Sequence, residues 1–452
     1  MRFLPDREQS AFAASLDAML SRADTPAVVR EWSRGEHAGG RALWRRLAGA
    51  GLFSLAAEEE AGGVGLRPVE LALAFVELGR HAVPGPLVET VTAAALLPDP
   101  KLTERLVSGE LMATMAYGIG GGPGDRGWGT PATGPDDPHG GAPDAGPDIP
   151  HEGTPAAGPD DPHEGAPDAG PGSRGERARG DGGRQDNPGG HAPPRQPSGH
   201  ASPRQPSGHA PPGQPALSTG RDSPGKGRHG LGRVPYALDG DVADLRLLLT
   251  SEGLFRCAGH GPVRHSLDPA RRLTTLEDPE PLALAPAPAP APAGRSITPK
   301  GGEPLSTEPP TDRALALARL ATAAQSLGVG LALLDRTVAH VRRRTQFGAP
   351  VGSFQAVKHR LADAMTALEF ARPLVLGAAL TLSPAEVAAA KLAACEAAYA
   401  TARTALQLHG AIGYTSECDL SLWLTKARAL RTAWGGPDEC RDAVLRGGDR
   451  RW

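Results

Sequence analysis

Apolar and polar positions in this chain follow a helical period over two long stretches and lose all pattern between them. Near the start, Phe12, Leu16, Met19 and Leu20 recur at i, i+4, i+7 and i+8, one face of a helix. Trp44, Leu47, Leu52 and Phe53 follow, then a glycine-rich break at Glu60-Ala61-Gly62-Gly63-Val64-Gly65. A further apolar helix runs through Val69, Leu71, Leu73, Phe75, Val76 and Leu78, and Pro84-Gly85-Pro86 ends it. Residues 111–119, LMATMAYGI, predict one buried strand. Leu245, Leu247, Leu248 and Leu249, then Leu254-Phe255-Arg256-Cys257, predict two strands around Ser251-Glu252-Gly253. From 311 the helical period returns. Leu317, Leu320, Ala321, Ala324, Leu327, Leu331, Leu334, Val338 and Val341 hold one stripe, and Val357, Leu361, Met365 and Leu368 begin the next. Ser383-Pro384-Ala385-Glu386 has the form of a helix start, with N-cap, N1 proline and capping-box glutamate. That helix continues through Val387, Lys391, Leu392, Cys395, Ala398, Ala402 and Leu406 to Gly410. Long helices in this order predict a bundle.

The expected organisation is mostly α with a reduced β-domain. An N-terminal helical domain covers 1–110, a truncated middle β-region 111–119 and 233–284, and a C-terminal four-helix bundle 311–452. Between the β segments, 120–232 holds almost no large apolar residue. It carries a twelve-residue repeat from Gly134, Gly146 and Gly158, and a nine-residue repeat, RQPSGHASP and RQPSGHAPP, from Arg195 and Arg204. Solenoid repeats need an apolar face to stack, and these have none. The tract is expected to be disordered, because it buries too little surface to offset chain entropy. A second tract, 285–310, contains APAPAPAPA and is expected to be an extended linker.

Composition sharpens this picture. The 452 residues include 59 Gly and 46 Pro, roughly twice the ordinary share, and the excess lies in those tracts. The net charge of -3 and pI near 6.5 give no reason to expect nucleic acid. Cys257, Cys395, Cys418 and Cys440 are widely spaced, form no CxxC pair or metal-binding pattern, and fit reduced thiols. No metal site is expected. The acidic start MRFLPDREQS lacks the apolar core of a signal peptide. No unbroken run of 18 apolar residues occurs, so no membrane span is expected and a cytoplasmic location is the reading.

Four blocks carry the chemistry: Arg344-Thr345-Gln346-Phe347-Gly348, then Gly352-Ser353-Phe354-Gln355-Ala356-Val357-Lys358-His359, then Gln407-Leu408-His409-Gly410-Ala411-Ile412-Gly413-Tyr414-Thr415, and upstream Glu59-Glu60-Ala61-Gly62-Gly63-Val64-Gly65 with Glu77-Leu78-Gly79-Arg80. In this order and spacing they resemble the acyl-CoA dehydrogenases over about 1–119 and 233–452. The resemblance implies an FAD flavoprotein that desaturates an acyl thioester such as an acyl-CoA at the α,β bond. The β-carbon passes hydride to the flavin, and the electrons go on to an electron-transfer acceptor. It gives Arg344, Phe347, Gln355, Gln407, His409, Gly410 and Gly413 to the cofactor, held across a subunit interface in a homo- or hetero-oligomer. The residue types suit that role: a guanidinium pairs with phosphate oxygens, and glycines let backbone approach closely.

The same resemblance exposes departures. The family's carboxylate base falls either after an aromatic residue near the C-terminus or on the first long bundle helix. Here those positions hold Gly435, after Trp434, and Ala318. Trp434 and Gly435 are left as substrate contacts, with the Gly435 N–H available to the thioester oxygen. Asp438 or Glu439 could serve as base from an altered loop. The alternative is a non-catalytic FAD-binding subunit that completes a heteromeric enzyme. The flavin-contacting strand expected after Ala113-Thr114-Met115 also departs: Ala116-Tyr117-Gly118-Ile119 runs into glycine-rich sequence.

Overall fold

Asp6 starts the first helix by a mechanism legible in its side chain: its carboxylate accepts from the Gln9 N–H while Gln9 reaches back to the Asp6 N–H. The computed structural model describes residues 4–118, 235–250, 253–282, 310–415 and 417–447. The repeat tract 120–232 and the linker up to residue 309 lie outside the described residues, and with them the expectations of disorder and extended structure.

Helices α1 (Arg7–Ser21), α2 (Thr25–Ser33), α3 (Ala38–Gly49), α4 (Pro68–Arg80), α5 (Leu87–Ala94) and α6 (Pro100–Val107) come first. Strands β1 (Ala113–Gly118), β2 (Tyr236–Leu238), β3 (Leu245–Thr250), β4 (Gly253–His260), β5 (Arg264–His265) and β6 (Arg272–Pro281) follow. Then come α7 (Pro310–Arg343), a small hairpin of β7 (Thr345–Gln346) and β8 (Ala349–Pro350), α8 (Gln355–Thr381), α9 (Pro384–His409), α10 (Leu420–Leu430) and α11 (Pro437–Arg446). The fold is helical with a small β-region in the middle.

The sheet runs β1-β3-β4-β6-β2 with β5 on β6. β1 and β3 are parallel, and the other pairs are antiparallel. Leu245, Leu247 and Leu249 alternate inward along β3, where they pack with Ala93, Leu106, Met115 and Ala314. The sheet is thereby joined to both helical parts. The Thr114 hydroxyl donates to the Leu238 carbonyl, which draws the two end strands of the order together.

One apolar core spans the N-terminal helices and the bundle, from Leu16, Trp32 and Phe75 to Leu317, Leu320, Leu368 and Val387. Two glycines bring α4 against α7. A Cβ at Gly79 would lie 2.0 Å from the Gln325 carbonyl oxygen, and one at Gly328 would lie 1.9 Å from that of Val76.

Two expectations change. Ser383 has N-cap backbone geometry and Pro384 follows at N1, but Ser383 makes no side-chain cap bond. Glu386 instead accepts from the Thr381 hydroxyl. Two helices, Thr311–Arg343 and Gln355–Thr381, are also long and apolar enough to cross a membrane by composition. Alanine, leucine and valine raise their mean hydropathy without an unbroken apolar run. The apolar window of the first is 94% buried inside the protein, as a core helix is.

Asp239 sits wholly buried at φ 53 and its backbone N–H donates to the Arg272 carbonyl. Burial pushes its carboxyl up to about 8. A carboxyl that is more basic folded than unfolded stabilises most at low pH, and that stability is lost as pH rises through the folded value. Thermal midpoints are therefore expected to fall between about pH 4 and 8 and to level off above, as Asp239 contributes a stability slope approaching about 1.4 kcal/mol per pH unit in that window. Asp239→Asn, which tolerates a left-handed backbone, should flatten part of that decline in a scanning-calorimetry pH series. An equally steep series in the variant would show that Asp239 is not its source.

Candidate active site

At the far end of α7 the chain turns through the β7–β8 hairpin, and the Val351 N–H returns to the Arg344 carbonyl at 2.8 Å. This closure points the half-buried Arg344 at the end of α9, where its Nη1 donates to the His409 carbonyl at 2.8 Å. Gly410 follows at φ 68, and a Cβ there would lie 3.5 Å from Arg344 Nη1. Two blocks far apart in sequence thus meet, with backbone on one side and a guanidinium on the other. Arg360 of α8 donates to the Gln407 amide oxygen, which leaves the amide N–H groups of Gln407 for another acceptor. Gln355 is exposed at the first position of α8.

The rest of this end is aromatic. His409 is buried, and its Nδ1 lies 2.8 Å from the Ala405 carbonyl, so Nδ1 carries the proton. Its ring stacks on His340 with centroids 4.1 Å apart. Burial holds both imidazoles below the ordinary value, and the neighbouring Arg344 adds to it. Gly413 is buried in the 3-10 turn after α9, where a Cβ would press on His409 and Leu406 at 3.2 Å. Phe347 is 92% exposed at φ 53, edge-on to Phe354 at 6.3 Å.

The predicted substrate residues form a second cluster near the start of α7. Arg319 Nε donates to the Trp434 carbonyl at 3.1 Å, and Lys391 Nζ donates to the Gly435 carbonyl at 2.6 Å. The first of these bonds ties the helix at Ala318-Arg319 to the Trp434-Gly435 turn, the two segments that hold a base in the resemblance. Ala318 is fully buried, and Gly435 has φ 118, a conformation that strains any side chain. Asp438 is 95% exposed at its side chain and pairs with Arg441. Glu439 accepts from the Gly436 N–H as a helix cap, and burial raises its carboxyl above the ordinary value.

Beside Trp434 lies a cavity of about 150 Å³ whose lining includes Glu89, Met115, Tyr117, Arg271, Arg428 and Trp434. The indole N–H of Trp434 donates to Glu89 Oε1 at 3.2 Å. Sequence reasoning missed Glu89, Arg319 and the role of Lys391. The signals were present: Lys391 falls on the apolar stripe of its helix, and Glu89 interrupts an otherwise uncharged run from Leu87 to Ala94.

Residues 311–446 match the family model for the acyl-CoA dehydrogenase C-terminal domain, and residues 6–98 match that for the N-terminal domain, together about half of the chain. The chain belongs to the acyl-CoA dehydrogenase family. That family is one of FAD flavoprotein oxidoreductases. Acyl-CoA dehydrogenase IpdE2 of Mycobacterium tuberculosis is 34% identical over 206 residues, 45% of this chain and 57% of that protein. Acyl-CoA dehydrogenase FadE34 of the same organism is 26% identical over 92% of this chain and 44% of its own length. The chain thus aligns with about half the length of these curated relatives. Among solved structures, the ChsE4-ChsE5 complex of M. tuberculosis has the same fold, with a TM-score of 0.61 at 20% identity over the whole of both chains. A glutaryl-CoA dehydrogenase of Mycobacterium smegmatis with FADH2 gives 0.59 at 14% identity over 99% of this chain and 95% of that one.

Proposed function

We propose that the chain is an FAD-binding acyl-CoA dehydrogenase that desaturates an acyl thioester at its α,β bond. The observation that carries this reading is the Arg344–His409 bond, which joins the QFG and QLHGAIG blocks into one anion-binding end of the bundle. The donors there suit a pyrophosphate: the Arg344 guanidinium, the Gln407 amide and the backbone beside Gly410, where a glycine leaves room. Phe347 offers an uncovered ring face for a flat group. Bound FAD would supply the hydride acceptor.

Near the start of α7, the Gly435 N–H would polarise the thioester oxygen as charge develops at the α-carbon. Arg319 and Lys391 hold that turn by its carbonyls. The two clusters lie at opposite ends of α7, and the 25 helical rises from Ala318 to Arg343 span roughly 38 Å. That is longer than an extended flavin dinucleotide, so the Arg344 end of one protomer would serve the flavin of another. An oligomer agrees with the exposed Met365, Phe370, Leu374 and Leu380 of α8, an apolar face of the kind a subunit contact covers. Reduced flavin would pass its electrons to an external acceptor protein.

A second reading is favoured by Ala318 and Gly435. With no carboxylate at either position, and with Asp438 turned to solvent and Glu439 tied to a helix cap, the chain would hold FAD for a partner subunit that contributes the base. One preparation separates the two. The purified chain should be yellow, and a saturated acyl-CoA added without oxygen should leave the colour unchanged if a partner holds the base. Bleaching of the chain alone would favour the first reading. A chain without flavin both alone and when co-expressed with a second dehydrogenase subunit would contradict both.

A further inference from the structure

The cavity beside Trp434 is lined by a carboxyl that nothing described so far uses. Glu89 is 4% exposed, on the short helix α5. Its Oε1 accepts from the Trp434 indole, and its Oε2 has no hydrogen-bond partner among the described residues. A buried polar atom left unpaired is costly, so the arrangement is best accounted for by a ligand atom that meets it. Trp434 directly precedes Gly435, so the cavity opens beside the place assigned to the thioester.

The chemistry of the lining selects the ligand. Burial raises the Glu89 carboxyl above the ordinary value, which favours the neutral acid, with a proton to donate. The other charged groups on the wall, Arg271 and Arg428, are donors only. The wall therefore offers hydrogens and asks for an acceptor. Met115, Leu238, Leu267 and Leu273 supply its apolar part. A cavity of about 150 Å³ holds a guest the size of benzene.

We propose that this cavity takes the acyl end of the substrate, a compact group about the size of a six-carbon ring that carries a keto or carboxylate oxygen, and that Glu89 donates to that oxygen. The inference rests on the reading of the substrate as an acyl thioester. It makes Glu89 a specificity-determining residue: a plain hydrocarbon of the same size leaves Glu89 Oε2 unmet.

The test uses the full chain as purified with its flavin, co-expressed with its partner subunit if it needs one. Calorimetry measures binding of two probes, cyclohexanecarboxyl-CoA and 4-oxocyclohexanecarboxyl-CoA. The wild type is expected to favour the oxo probe by about tenfold, the worth of one hydrogen bond. Glu89→Gln keeps an oxygen for the indole and an N–H for the ligand, and should keep the preference. Glu89→Leu should lose it, with flavin content unchanged. Equal affinities in the wild type, or a preference that survives in Glu89→Leu, would overturn the proposal. Failure of the flavin-loaded protein to bind either probe would overturn it while sparing the cofactor reading. A wild type without flavin even beside its partner would instead bring down the functional reading on which the proposal stands.

Discussion

Arg344→Ala is expected to weaken FAD binding by about 1.5–3 kcal/mol, the worth of a hydrogen bond to a charged group, or roughly 10–150-fold in Kd. The loss should come with little change in the stability of the apoprotein, because Arg344 is only half-buried and the hydrogen bond its side chain makes among the described residues is to the His409 carbonyl. Lysine should restore only part of the affinity. A lysine keeps the charge but lacks the planar fork that pairs with two phosphate oxygens. Fluorescence titration of apoprotein with FAD measures this directly. An Arg344→Ala protein that titrates like the wild type would remove the arginine from the cofactor site.

Gly328→Val should destabilise the fold severely. A Cβ there would stand 1.9 Å from the Val76 carbonyl oxygen and 2.8 Å from its carbon, both main-chain atoms that no side-chain rotation moves. Helices α4 and α7 would have to part, and with them the core that joins the N-terminal helices to the bundle. The expected cost is at least about 3 kcal/mol, the upper range for overpacking a core. Gly49 makes the control. It lies exposed in α3 with nothing within 4 Å of a Cβ, and Gly49→Ala should stabilise by up to about 1 kcal/mol. Urea titrations of the two variants beside the wild type measure both effects. Similar midpoints for Gly328→Val and the wild type would show that the two helices do not depend on this contact.

The residues that announced themselves did so by period or by type. The stripe from Leu317 to Val341 is buried in α7 except for the half-buried Val338, and Leu16 and Leu20 lie in the core under α1. The convergence of Arg344 with the QLHGAIG block was legible only through resemblance, since spacing alone places a guanidinium and a glycine at two helix ends and says nothing of their meeting. The sheet was legible in part. Leu245, Leu247 and Leu249 alternate plainly, whereas the pairing of β2 with β6 joins Tyr236–Leu238 to Leu273–Thr275 across more than thirty residues with no local signal. Asp239, Glu89 and Lys391 were the least legible. A charged residue is ordinarily read as solvent-facing, and these three are held inside by partners from distant segments: Arg272, Trp434, and the carbonyls of Arg431 and Gly435. Ser383 shows the reverse case, where a correct-looking capping sequence is present and its cap bond is not made.

One end of the helical bundle is proposed to grip the phosphates of a flavin whose ring belongs to a neighbouring subunit. A crystal structure of the FAD-loaded oligomer tests it most directly. Arg344 nitrogen atoms are expected about 2.7–3.2 Å from pyrophosphate oxygens, with the flavin ring beside the Trp434 turn of a different protomer or of its partner chain. Phosphates bound with no contribution from Arg344, or a flavin held entirely within one protomer, would contradict it.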